Sequence, residues 1–332
     1  MMRGFCTVKL AGICALTVIV AIVANIAGKN AVAADYPSRP VRIVVPSTPG
    51  GALDILSRML AQKLPERWNG QPLIVDNRAG AGGIIGSEIV AKSEADGYTL
   101  LVVALGYAAN PFLYKLPYRT PEDFSPITVL ASAPNVLVVH PSLPASSVKD
   151  LIALAKAKPN TIVYASSGVG TSGHLAMELF KRMAGVEMIH VPFKGAGASN
   201  AAIVAGQVQI LNTALGAAMT FIKSGKLKGL AVTGLKRAAA APDIPTANES
   251  GLLGYVVDGW FAALAPAKTP QYIINKLQTD FAWVYAMPDM AARLAAQGFE
   301  ADNPKPQATA KFIDAEIAKW GRVIRDGGIK GD

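Results

Sequence analysis

The sequence predicts an α/β protein of two lobes, each a mostly parallel sheet flanked by helices, joined by two crossover strands. Three observations carry this expectation. From Val41 onward, short β-rich runs alternate with helical patterns, as in doubly wound architectures. Two longer apolar stretches, Pro126 to His140 and Val256 to Pro266, interrupt that alternation and read as the crossovers. The 332 residues are enough for one large or two ordinary domains with proper cores.

At the N-terminus, Arg3 and Lys9 precede an apolar run from Leu10 to Ala27 that has no Asp or Glu, and Ala31, Ala33 and Ala34 follow. This is the layout of a secretory signal peptide cut after Ala33 or Ala34. The alternative is a retained membrane anchor, since about 18 apolar residues is near the lower limit for a span. Cys14 follows Ile13 rather than Gly or Ala, so lipidation is not expected. Both cysteines, Cys6 and Cys14, fall inside the removed segment, leaving no disulfide, thiol nucleophile or thiolate metal site in the exported chain. Losing Arg3, Lys9 and Lys29 lowers the net charge from +9 to about +6. An excess of that size without a dense basic cluster leans towards anionic ligands and away from nucleic acid.

Strands are expected at Val41 to Pro46, Leu73 to Asp76, Thr99 to Ala104, Thr161 to Ser166, Met188 to Val191, Val208 to Leu211 and Leu227 to Thr233. Several are apolar throughout, as strands buried on both faces should be. Leu53, Leu56, Leu60 and Leu64 share one helical face, and Pro65 falls near its end. New helical patterns begin near Ser147 and Pro270, and the tail from Pro270 is helical with breaks at Pro288 and around Pro304 and Pro306. The expected partition is a signal peptide over 1–34, lobe one over 35–134 and again over 259–332, and lobe two over 135–258.

Two glycine-bearing turns separate a strand from a helix. Ser47, Thr48, Gly50 and Gly51 lead into the helix holding Asp54 and Arg58. Gly168, Gly170, Thr171 and Ser172 lead into the helix near His174. Glycines let the main chain approach a ligand, and free N–H groups at a helix start favour an anion. Ordinary capping turns use the same residues, but two such turns, one per lobe, could grip a carboxylate from opposite sides. A third loop, Asn77 to Gly83, brings Arg78, which is either cleft-lining or solvated. Tyr107, Phe193 and Trp260 could stack on a ligand or simply pack.

Gly168 to Gly173 also spells G-x-G-x-x-G. A dinucleotide fold needs an acid at the end of the next strand, where this chain has His190, Val191, Pro192 and Phe193. The three histidines, His140, His174 and His190, lack the spacing of a helical zinc site. Ser172 beside His174 invites a hydrolase reading, but there is no G-x-S-x-G elbow. No catalytic residue, metal or cofactor is therefore expected, and an exported α/β enzyme acting on a small carboxylate is the runner-up to a binding protein.

Along nearly the whole exported chain, further markers line up in order: Tyr36-Pro37-Ser38-Arg39-Pro40, Pro49-Gly50-Gly51 with Asp54, Asn77-Arg78, Asn110-Pro111, Leu116-Pro117-Tyr118, Gly168 to His174, His190 to Gly195 and Gly225-Lys226-Leu227. In these the chain resembles the Bug-type periplasmic receptors of tripartite tricarboxylate transporters. The resemblance implies a type II periplasmic-binding fold with a hinge and a periplasmic, monomeric receptor. It also implies a small organic carboxylate held by main-chain groups and waters, and a permease or sensor as partner. The ligand-binding set expected from turns and resemblance together is Ser47, Thr48, Gly50, Gly51, Asp54, Arg78, Tyr107 and Asn110 on one side. On the other it is Gly168, Gly170, Thr171, Ser172, His174, Lys194, Asn212 and Thr213. The chain departs from the family pattern at Ala202, Gln209, Asn212 and Thr213; Asn212 stands where an aromatic is frequent.

Overall fold

In the computed structural model, which describes residues 36–193 and 195–331, the apolar runs assemble into two sheets. The first contains β1 (Val41–Val45), β2 (Leu73–Asn77), β3 (Thr99–Ala104), β4 (Phe124–Ala133), β10 (Gly259–Pro266) and β11 (Glu300–Ala301). The second contains β5 (Asn135–Val139), β6 (Val163–Ser166), β7 (Ile189–Pro192), β8 (Ile210–Ala214) and β9 (Lys228–Val232). Their orders are β11-β4-β10-β3-β1-β2 and β7-β6-β8-β5-β9. β1 runs parallel to β2 and β3, and β6 runs parallel to β7 and β8. Each sheet has one reversed interior strand, β10 in the first and β5 in the second, and in both cases it adjoins a crossing between sheets.

The stretch from Pro126 to His140 is two strands rather than one. It breaks at Pro134, which has no N–H to offer a ladder, so β4 ends in one sheet and β5 begins in the other. The return segment joins the first sheet at Gly259, just after Val257, whose N–H donates to Thr233 O in the second half at 2.9 Å. The two crossings are neighbours. Gly259 pairs with Ala133, Asn135 Nδ2 donates to Val257 O at 3.3 Å, and Thr233 Oγ1 donates to the same carbonyl at 2.6 Å.

Helices cover both sheets: α1 (Ala52–Lys63), α2 (Ile84–Ala91) and α3 (Gly106–Leu113) follow β1, β2 and β3, while α4 (Val148–Ala157) precedes β6. After β6, β7 and β8 come α5 (Ser172–Ala184), α6 (Ala196–Val204) and α7 (Leu215–Lys223). The tail forms α8 (Gln271–Ala286), α9 (Pro288–Ala296) and α10 (Pro306–Asp326), with Pro288 and Pro306 opening their helices where a missing N–H costs nothing. α1 buries Leu53, Leu56, Met59 and Leu60 and stops before Pro65. α10 lays Ile313, Trp320, Val323 and Ile324 on the core, and its Glu316 Oε2 accepts the indole N–H groups of Trp260 and Trp320, each at 2.8 Å. Among the described residues, no helix is long and apolar enough to cross a membrane.

Some boundaries differ from the sequence expectation. β6 begins at Val163 because Thr161 is held in a turn, its hydroxyl donating to Lys158 O at 2.8 Å. α5 begins at Ser172 with Thr171 as N-cap, ahead of His174. β8 continues past Leu211 through Asn212 and Thr213 to Ala214. The short edge strand β11 was not expected.

Candidate ligand-binding cleft

The turn between β6 and α5 is stitched from within. Gly168 and Gly170 adopt positive φ of 137° and 74°, which L side chains rarely take. Gly168 N–H donates to Ser166 Oγ at 3.1 Å, Thr171 Oγ1 donates to Gly168 O at 2.7 Å, and Gly170 N–H donates to His174 Nδ1 at 3.1 Å. Beneath the turn three rings stack, with His174 4.0 Å from His190 and His190 4.8 Å from Tyr164. Ser166 Oγ and His190 Nε2 share a hydrogen bond at 2.7 Å. Burial first, then neighbouring His174 and Lys181, push the His190 imidazole down to about 4 against the pull of Glu178. Tyr164 donates to Glu178, which also pairs with Lys181 at 2.9 Å. Burial works against the Glu178 charge, but those two partners outweigh it and hold the carboxyl below the usual range.

This geometry makes His174 and His190 scaffolding of the turn. His174 Nδ1 accepts from Gly170 N–H, and Ser166, which shares a hydrogen bond with His190, is 0% exposed and cannot reach a substrate. Among the described residues, no cluster of three or more His, Cys, Asp or Glu could hold a metal.

The first turn of α5 contains no acid, and Thr171 makes no side-chain cap. Its early N–H groups have no intrahelical partner, so the positive end of the helix is uncompensated from within. Gly173 is required there, because a Cβ would stand 2.8 Å from Asn212 O. Ser172 and Gly173 open on a cavity of about 210 Å³ between the two sheets, walled also by Ala104 and Leu105 at the end of β3, Asn212 and Thr213 of β8, and Trp260 of β10. It lies outside the carboxyl ends of parallel strands, where open α/β sheets bind ligands. Among the described residues its wall holds no charged side chain. Asn212 is 3% exposed and neither atom of its side-chain amide has a hydrogen-bond partner. An unsatisfied buried polar atom costs about 1–3 kcal/mol, and this amide is buried behind the cavity surface.

The α1 start is differently furnished. Asp54, 3% exposed in the first turn, accepts Gly50 N–H and Arg58 Nε on Oδ2, both at 2.9 Å. Burial opposes its charge, but Arg58, Gly50 and Asn77 outweigh that and hold the carboxyl below the usual aspartate range. Ser47 O is taken by Asn77 Nδ2 at 3.2 Å, and neither Ser47, Thr48, Gly50 nor Gly51 lines the cavity. Arg78 pairs with Asp76 at 3.0 Å, and Asp76 also holds Arg42. Tyr107 and Asn110 line a second cavity of about 130 Å³ with Gly82 and Gly83, and Ala104 belongs to both cavities. Tyr107 packs edge-on to Phe124, and Asn110 Nδ2 donates to Gly82 O at 3.1 Å. Lys194 lies outside the described residues.

Of the expected set, then, Ser172, Asn212 and Thr213 line the larger cavity, while Gly168, Gly170, Thr171 and His174 belong to the turn and helix start that carry Ser172 and do not line it themselves. Sequence reasoning missed Ser167, Ser199 and Asn135 in that wall. Serines after two successive strands carry no local signal of meeting; topology alone brings them together. Gln209 has a structural duty, its Oε1 accepting Val163 N–H at 2.7 Å, and Ala202 is buried in the core.

Two mostly parallel sheets, bridged by neighbouring crossings and meeting around a cavity at their strand ends, define a type II periplasmic binding fold. The chain belongs to the tripartite tricarboxylate transporter receptor family, whose model matches residues 56–329. It is 36% identical over 301 residues to the protein BugT of Bordetella pertussis, covering 89% of this chain and 91% of that one. Among solved structures it is similar to Rpa4515 of Rhodopseudomonas palustris with adipate, at 38% identity and a TM-score of 0.77, covering 90% of this chain and all of that one. MatC of the same organism, with bound malate, is 31% identical with a TM-score of 0.73, covering 87% of this chain and all of that one. It is also similar to the periplasmic binding protein BugD, at 31% identity and a TM-score of 0.73, covering 90% of this chain and all of that one.

Proposed function

We propose that this chain is an extracytoplasmic solute-binding receptor that closes two lobes over a small organic carboxylate. Lobe one comprises 35–134 and 259–332, lobe two 135–258, with Pro134 and Asp258 as the hinge. The signal peptide expected over 1–34, which lies outside the described residues, delivers it to the periplasm. There it acts as a monomer that hands ligand to a tripartite tricarboxylate-type permease or to a sensor, with no chemical step. The observation that carries the reading is the first turn of α5, a helix start without an internal acid, opening on a cavity between the sheets. The adipate and malate held by two relatives support the ligand class.

Thermal-shift screening of organic acids tests it. A ligand at about 100 Kd that binds only the folded form adds roughly 2.7 kcal/mol of stability. At least one small carboxylate should raise Tm and be recovered unchanged; stabilisation confined to NAD, sugars or metal ions would overturn the reading.

A further inference from the structure

We propose that the ligand carries a single carboxylate on an apolar remainder, and that Phe261 selects it over a dicarboxylate of the same length. This rests on the binding function proposed above and specifies its ligand. Three of the polar side chains in the cavity wall are committed elsewhere or withdrawn. Ser199 is buried and donates to Ala196 O at 3.0 Å, Asn135 donates to the carbonyl of Val257, and both amide atoms of Asn212 lie behind the surface. That leaves the half-buried Ser167, Ser172 and Thr213. All three lie beside the α5 start: Ser167 follows β6, Ser172 opens α5, and Thr213 follows Asn212, whose carbonyl abuts Gly173. Hydroxyls and helix-start N–H groups thus gather at one place, enough for one carboxylate. The rest of the accessible wall is apolar. Phe261 and Ala104 come from the first sheet, Ala196, Ala214 and Ala217 from the second half. Phe261 is the large side chain among them, and its ring is fixed edge-to-face on Phe299 at 5.6 Å. Apolar carbon gains by leaving water for such a wall. A second carboxylate there would lose its hydration, with no cation among the described wall residues to replace it.

The test is calorimetric titration of the full exported chain with pairs in which a terminal methyl replaces one carboxylate: pentanoate and glutarate, hexanoate and adipate, 4-methylbenzoate and terephthalate. The tightest compound should be a monoacid, about tenfold or more ahead of its diacid, since a single apolar group in a fitting pocket is worth about that much. Phe261→Ala should shrink that ratio at least about threefold, as water enters beside the second carboxylate. The wild-type comparison needs no variant, so a misfolded Phe261→Ala leaves the test intact. A diacid as the tightest compound, a monoacid less than about tenfold ahead, or a folded Phe261→Ala that keeps the full ratio overturns the proposal while the carboxylate reading stands. Should no member of any pair bind while other carboxylates do, the proposal likewise fails alone. If no carboxylate binds, the receptor reading falls and takes this one with it.

Discussion

The α1 start and the α5 start look alike in sequence and differ in what they leave for a ligand. Each follows a parallel strand and brings glycine at positive φ into a helix. At α1 the chain supplies its own anion: Asp54 takes Gly50 N–H and Arg58. At α5 no acid occupies the first turn, and Gly173 lets the helix start press against β8 beside the cavity. One carboxylate at the third residue of a helix separates a self-satisfied turn from one that seeks a partner.

The sharpest break between the two comes from valine. Gly170→Val should lower ligand affinity by about a hundredfold or more, because a branched side chain at φ 74° is strained and its Cβ would meet Leu113 Cδ1 at 2.8 Å. Gly51→Val should stay within about threefold of wild type, since Gly51 has an ordinary extended conformation at φ −78° with no contact closer than 3.6 Å. Calorimetry of both, with circular dichroism on the same samples, checks this.

Acid should undo the two turns in a fixed order. His190 has a folded pKa below its unfolded value of about 6.5, so its neutral form contributes stability present above pH 6.5 and lost as pH falls towards about 4. With its partial exposure allowed for, that loss is about 1–2 kcal/mol. Asp54 is also depressed, so its contribution is present above the ordinary aspartate pKa and is lost only as pH falls through its lower folded value. Thermal unfolding from pH 7 to pH 4 should therefore fall less steeply in His190→Gln than in wild type, while Asp54→Asn should parallel wild type over that window.

Smaller effects should follow side-chain removal. Ser172→Ala keeps the backbone N–H and should cost about 0.5–1.5 kcal/mol of binding. Arg78→Ala should change affinity by less than about threefold, because Arg78 is committed to Asp76 and exposed charge pairs contribute little. Titration calorimetry at fixed pH separates the two.

Much of the scaffold was legible because buried parallel strands are apolar throughout: β1 and β3 read nearly to the residue from their Val, Ile and Leu runs. Legibility failed where strands reach the cleft. β8 seemed to end at Leu211 because Asn212 and Thr213 break the apolar run, yet those polar residues are strand and cavity wall together. The turn before α5 was readable as glycine and helix start, but its support was not: His190 stacks on His174 only because β7 lies beside β6. The filling of the α1 start by Asp54 was equally hidden, since an acid in a first turn is ordinary capping chemistry unless the site was meant for a ligand. Trp260 read as a possible stacking residue, and the bond from its indole N–H to Glu316 crosses 56 positions of sequence.

The most direct test of the central claim is backbone amide NMR of the uniformly ¹⁵N-labelled exported chain, titrated with the best-binding acid of the panel. The amides of Ser172 and Gly173 should move most and in step with occupancy, while those of Ala52 and Leu53 at the α1 start stay nearly still. Large shifts at Ala52 and Leu53 with Ser172 and Gly173 unmoved would contradict the account and make α1 the anion site.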